Sequence, residues 1–147
     1  MRIGLSLLCE NPRRKTGLSS AYHEFVARSL QLDPDVSWVV FVGPDQSWLV
    51  KDPRVDVVRD YPANDRLKRR LVADHFLVQA AARARGAEVM VSTGFVPLRK
   101  CLPTVMQVLS LQHLDLKNQL GLARGLYRKL VLGHSWNRAD LDRKSVV

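Results

Sequence analysis

Two short stretches of this chain carry residue types that could do chemistry. One is Gln112-His113-Leu114-Asp115, a histidine two places from a carboxylate. An imidazole in that setting can orient or deprotonate a hydroxyl, because its proton affinity lies near neutral pH. The same pair serves equally well as a loop histidine with structural hydrogen bonds. The other is Arg13-Arg14-Lys15-Thr16-Gly17, followed by Ser19 and Ser20. Glycine lets a ligand approach the backbone, and a helix capped by either serine would offer unpaired N–H groups to a phosphate or sugar. One glycine falls short of G-x-G-x-x-G, so a solvated turn with a helix cap fits as well. The remaining histidines read otherwise: His23 and His75 fall within helical patterns and are expected to be structural, and His134 lies on a basic, surface-type helix. Cys9 and Cys101 have neither metal-ligand spacing nor the numbers for a disulfide framework, and no histidine, cysteine or carboxylate cluster suits a metal. No G-x-S-x-G elbow of a serine hydrolase is present.

The elements that must position these stretches follow from periodicity. Residues 2–8 form an apolar run that reads as a first strand. A helix from Ser19 or Ser20 places Tyr22, Phe25, Val26, Ser29 and Leu30 on one face and stops at Asp33-Pro34-Asp35. Val36 to Val42 is nearly continuously apolar, as a strand buried on both faces should be. Val55 to Val58 is a short third strand. Asp65 to Arg85 predicts a long helix with Leu67, Leu71, Val72, Phe76 and Ala80 inward, Arg66, Lys68, Arg69 and Arg70 outward, and Gly86 as its cap. Strands over Ala87–Val91 and Thr104–Leu109 come next, then a basic amphipathic helix over Leu120–Arg138 containing Leu122, Leu126, Leu130 and Trp136. Ala139-Asp140-Leu141 reads as the opening of a sixth strand. Strands separated by helical segments imply an α/β domain: a Rossmann-like parallel sheet with helices on both faces, incomplete at its C-terminal end. Ligands of such sheets bind beyond the carboxyl ends of the strands, which selects the loops 9–20, 92–103 and 110–119.

Composition sets the outer bounds. A chain of 147 residues with 46% hydrophobic and 25% charged residues is ordinary for one globular domain. No apolar run reaches the roughly 18 residues of a membrane span. The opening MRIGLSLL is too short for a signal peptide, and Glu10, Arg13, Arg14 and Lys15 stand where a cleavage site would be. Two cysteines without a framework fit a reducing cytoplasm. The net charge of +9 favours anionic partners, whether nucleic acid, phosphorylated ligands or an acidic membrane face.

The final residues, Asp142-Arg143-Lys144-Ser145-Val146-Val147, match the translation of a common short-read library adapter, GATCGGAAGAGCGTCGTG, whose next codon is TAG. The expectation is that residues 142–147 are adapter-derived and that the natural protein continues past Leu141.

Several segments in order resemble the N-terminal domain of GT-B glycosyltransferases of retaining family 4 ("group 1"). They are MRIGLSLL, TGLSSAYHEFVARSL, RGAEVMVSTGFVPL, PTVMQVLSLQHLDL and LYRKLVLGHSWNRADL. Typical members carry "GADV…S…VPL", a "PTVVTVHDL" strand and a basic helix ending "RRSARRADLVIANS". The resemblance spans residues 1–141 and rests on order and spacing. Two departures stand out. Leu18-Ser19-Ser20 occupies the place of a frequent second glycine, and Leu109-Ser110 occupies the place of the family's "HD" pair. His113 is the residue that could stand in for the absent histidine.

The resemblance implies an acceptor-binding half of an enzyme moving a sugar from a nucleotide-sugar donor to a hydroxyl acceptor in envelope or polysaccharide glycan synthesis. Gly17, Ser19 and Ser20 would line the cleft beneath the donor phosphates. Thr93, Gly94 and Phe95 would shape the acceptor wall, and His113 would orient or polarise a hydroxyl. Arg13, Arg14 and Lys15 would attract the anion. No cofactor or metal is implied; the nucleotide sugar is a co-substrate held mainly by a second domain. A fragment without that domain is expected to be inactive. A glycan or lipid-linked acceptor, with peripheral contact to an anionic membrane, suits the basic charge. The alternative is a basic, non-enzymatic α/β module binding nucleic acid or another anionic partner. No recognised nucleic-acid motif is present, so specific nucleic-acid binding is not expected.

Overall fold

The computed structural model describes residues 1–10, 17–62, 64–93, 95–107, 130–131, 133–135 and 137–138. Strands β1 (Arg2–Ser6), β2 (Ser37–Phe41), β3 (Val55–Val58), β4 (Val89–Thr93) and β5 (Thr104–Gln107) form one all-parallel sheet in the order β3-β2-β1-β4-β5. Helix α1 (Gly17–Leu32) covers one face. The other is covered by a composite segment: a 3₁₀ turn (Asn64–Arg66), α2 (Leu67–Val72), a π turn (Ala73–Leu77) and α3 (Val78–Ala84). This is the α/β, Rossmann-like class expected from the pattern of strands and helices.

Burial explains why each element forms where it does. Trp38, Val39, Val40 and Phe41 of β2 are fully buried because the strand is sandwiched between the two helical layers. On the first face Tyr22, Val26 and Leu30 recur every fourth residue on α1 and pack over Leu5, Trp38 and Val40. The indole N–H of Trp38 donates to Ser29 Oγ at 2.9 Å, so this fully buried ring carries no unmet donor. On the second face Ala73, Val78 and Ala82 meet Val39, Phe41 and Met90. Small residues allow α3 to lie close: a Cβ at Gly4 of β1 would stand 2.6 Å from Met90 Sδ and 3.3 Å from Ala82 Cβ.

Helix ends are closed by specific contacts. Gly86 takes φ +81°, and its N–H and that of Ala87 donate to the carbonyls of Arg83 and Ala82, a Schellman closure. At the end of α1, the Arg54 guanidinium donates to the carbonyls of Leu30, Asp33 and Pro34. Asp52 holds that guanidinium at 3.0 Å, and Arg54 in turn keeps the Asp52 carboxyl below its ordinary range. Among the described residues no helix is long and apolar enough to cross a membrane.

The structure corrects several sequence expectations. Helix α1 starts at Gly17, so Ser19 and Ser20 lie inside its first turn and do not cap it. β4 runs from Val89 to Thr93 and not from Ala87 to Val91: Ala87 is used in closing α3, while Ser92 and Thr93 pair with Met106 and Gln107. The helix expected over Asp65–Arg85 is broken by the π turn, and its faces are reversed in part. Leu67, Val72 and Phe76 are 48%, 54% and 44% exposed, whereas Arg70 is only 8% exposed. The reason is that the buried stripe runs through Arg70, Asp74, Val78 and Ala82, residues spaced by four, and places two charged residues at the protein-facing side. Residues 108–109 of the fifth strand, 120–129 of the last helix with Leu122 and Leu126, Trp136, the sixth strand at 139–141 and the tail 142–147 lie outside the described residues. Leu130, Val131, Gly133–Ser135, Asn137 and Arg138 are helical, as expected for the end of the basic helix.

Candidate functional site

The chain order reverses beside β1. It proceeds β1, β2, β3 toward one edge, then returns to β4 and β5 on the other side. The crevice between the carboxyl ends of β1 and β4 is therefore the topological switch point, where open α/β sheets hold their ligands. Ser6 ends β1, Cys9 follows in the turn closed by Glu10 N–H donating to Leu7 O, and Thr93 ends β4.

These side chains are joined to one another. Ser6 Oγ donates to Asp74 Oδ1 at 2.9 Å. Cys9 Sγ lies 3.2 Å from Thr93 Oγ1, and Thr93 Oγ1 lies 3.4 Å from Ser6 O. Asp74 comes from the π turn. A π turn adds a residue to the helical repeat, and here Ala73, Asp74 and His75 are three successive buried residues. The cavity that Ser6, Cys9, Asp74, Thr93 and Phe95 help to line is about 10 Å³. That is a tightly packed polar floor, with room for one water molecule at most.

The electrostatics of this floor are unusual. Asp74 is 5% exposed, and burial pushes its carboxyl up to about 6, although Arg70 and the Ser6 hydroxyl both pull it down. Arg70 Nη1 lies 3.4 Å from Asp74 Oδ2, one helical turn away. Arg70 Nε is buried and meets no hydrogen-bond partner among the described residues. Burial also pushes the Cys9 thiol up, with Thr93 opposing, so Cys9 stays protonated near neutral pH and is a poor nucleophile. The His75 imidazole is held below its usual value, first by burial and then by Arg70 and His134. Its ring stands 4.8 Å from that of Phe95.

The expected site residues fall into three groups. Thr93 and Phe95 sit at the switch point, beside Ser6, Cys9 and Asp74. Gly17, Ser19 and Ser20 form the first turn of α1, with Ser19 buried and Ser20 exposed. Among the described residues no atom lies within 4 Å of where a Cβ at Gly17 would stand, so none of them requires that glycine by a close approach. Arg13, Arg14, Lys15, Gly94 and His113 lie outside the described residues.

The sequence reasoning missed Ser6, Arg70 and Asp74, and it took His75 only as structural. A signal was present: Arg70 and Asp74 share the four-residue spacing of Val78 and Ala82, which marks a charged pair on a buried stripe. The larger residues Leu67, Val72 and Phe76 outweighed it. Among the described residues no three metal-ligating side chains come together. No protein-family model matches the chain, and no curated protein matches it.

Proposed function

We propose that the chain is the acceptor-side half of a glycosyltransferase that moves a sugar from a nucleotide-sugar donor to a hydroxyl acceptor. The observation that carries this reading is the switch-point floor, where Ser6, Thr93 and Asp74 meet at the carboxyl ends of β1 and β4. Hydroxyl and carboxyl groups that fix one another in a low-dielectric floor suit recognition of a polyhydroxylated ligand, since each donor and acceptor keeps a set direction. The ordered segments that resemble family 4 sequences support the same reading.

In this scheme Asp74 is a positioning residue. It holds the Ser6 hydroxyl from beneath, and Arg70 holds Asp74 from the side. Thr93 and Phe95 form the acceptor wall, and the first turn of α1 faces the donor phosphates, as helix amino ends suit anions. His113 is the candidate for orienting the reacting hydroxyl. Donor binding and alignment belong to a second domain, without which the chain has no turnover.

The test is to read the natural gene through codon 141 and to assay the encoded protein for release of nucleoside diphosphate from nucleotide sugars. The reading expects a second α/β domain of roughly 150–200 residues and sugar transfer that Ser6→Ala weakens. A natural frame ending DRKSVV-stop would overturn it. The charge-driven alternative, an anion-binding module, would then take its place.

A further inference from the structure

Large apolar side chains stand outward on α2 and the π turn. Leu67, Val72, Phe76 and Leu77 are each roughly half exposed, and Lys68, Val72 and Phe76 follow one another at intervals of four along one side. Arg66, Lys68 and Arg69 are exposed around them, as is the acidic Asp65, while Asp74 of the π turn is buried. A second segment extends the surface. Arg99 N–H donates to His75 O at 3.0 Å, which sets the 98–100 segment against the π turn beside Phe76. Leu98 is 43% exposed there, and Arg99 is exposed next to it. Arg138 Nη1 donates to Leu98 O and Lys100 Nζ to Arg138 O, so helix and loop hold each other in place.

Such a surface is costly to leave in water. Monomeric domains seldom expose adjoining apolar side chains of this size unless something covers them. An apolar strip bordered by lysine and arginine is the pattern of a helix lying in the plane of a membrane interface, apolar side in the acyl boundary and cations at the headgroups. The charge complementarity favours an anionic bilayer.

We infer that the outward side of α2 and the π turn, with the 98–100 segment, is a docking surface for an anionic lipid bilayer. Leu67, Val72, Phe76, Leu77 and Leu98 enter the interface, and Arg66, Lys68, Arg69 and Arg99 contact phosphate headgroups. Asp74 and His75 lie on the inner side of the same turn. Docking would therefore bring the switch-point crevice to the membrane surface, where a lipid-linked acceptor would be found. The surface itself does not depend on the sugar-transfer reading, and its test involves no sugar.

The 147-residue chain is sedimented with vesicles of phosphatidylcholine alone and of phosphatidylcholine mixed with phosphatidylglycerol, at low and at high salt. The expected result is binding to the mixed vesicles that weakens with salt. Val72→Ser with Phe76→Ser lowers the partition coefficient by about tenfold or more. Lys68→Glu with Arg69→Glu lowers it by a similar factor, about tenfold. Circular dichroism checks the fold of each variant, and Leu67→Ser with Leu77→Ser gives an independent apolar pair if the first is unstable. Absence of binding by the unaltered chain overturns the inference. So does binding that both apolar pairs leave unchanged while charge reversal abolishes it, because that identifies a general polyanion surface for nucleic acid or acidic protein.

Discussion

On one face of the sheet, α1 lays Tyr22, Val26 and Leu30 over Leu5, Trp38 and Val40, and Ser29 Oγ accepts from the Trp38 indole N–H. On the opposite face the covering segment changes character midway. Val78 and Ala82 of α3 pack on Val39, Phe41 and Met90, but the turn before them buries Arg70, Asp74 and His75. The first face is scaffold. The second is scaffold toward the amino ends of the strands and polar at their carboxyl ends, where the switch point lies. Burying charge costs stability that an apolar residue would not, which marks the switch point as the candidate site of this fold.

Substitutions can break this contrast in order of size. Trp38→Ala on the apolar face should cost about 3–5 kcal/mol in urea unfolding, since it empties a fully buried site. Arg70→Met on the polar face should cost about 3 kcal/mol, because it leaves Asp74 buried beside no cation. Adding Asp74→Leu to Arg70→Met should recover most of that loss. A double-mutant cycle with no coupling between the two positions would mean that the pair does not interact as described.

The pH dependence sharpens the same point. Asp74 binds its proton more tightly when folded, at about 6 against an ordinary 3.8. Its contribution is therefore fully present below 3.8 and declines as pH rises through about 6, by about 3 kcal/mol at most. His75 acts in the opposite sense, because its folded value lies below 6.5, so the stability it brings is lost as pH falls. Comparing the unaltered protein with Asp74→Asn cancels the His75 part. The variant should gain on the unaltered protein between pH 4 and pH 7; a constant difference would place Asp74 in solvent.

Smaller effects come from the edges. Gly86→Ala forces a side chain into φ +81° and should cost about 1 kcal/mol, visible as a lower midpoint in thermal unfolding. Val72→Ser and Phe76→Ser, on the outward side, should each change stability by about 0.5 kcal/mol or less. A large loss at either would show that these residues face the core after all.

The legible parts of this molecule are those where one physical signal dominates. β2 is read directly from Trp38-Val39-Val40-Phe41, and Gly86 marks the end of α3 because only glycine takes that backbone angle cheaply. The composite helix was not legible in full. Side-chain size weights Leu67, Val72 and Phe76 toward the core, and a regular 3.6-residue repeat carries no sign of a π turn. Only the tertiary arrangement, with Ser6 waiting at the end of β1, makes Asp74 an inward residue. A general rule about strand ends points at the loop that holds Thr93 and Phe95, and both lie beside the switch point; Ser6 escapes that rule because it sits inside an apolar run.

The most direct test of the account is an NMR titration of the isotopically labelled chain with inorganic pyrophosphate and geranyl pyrophosphate, soluble probes of a phosphorylated acceptor. The account predicts saturable amide shifts at Ser6, Cys9, Gly17, Thr93 and Phe95, on the carboxyl edge of the sheet, which Ser6→Ala diminishes. Shifts confined to the exposed arginines and lysines, or centred on the apolar groove beside Tyr22, Phe25 and Gln107, would contradict it.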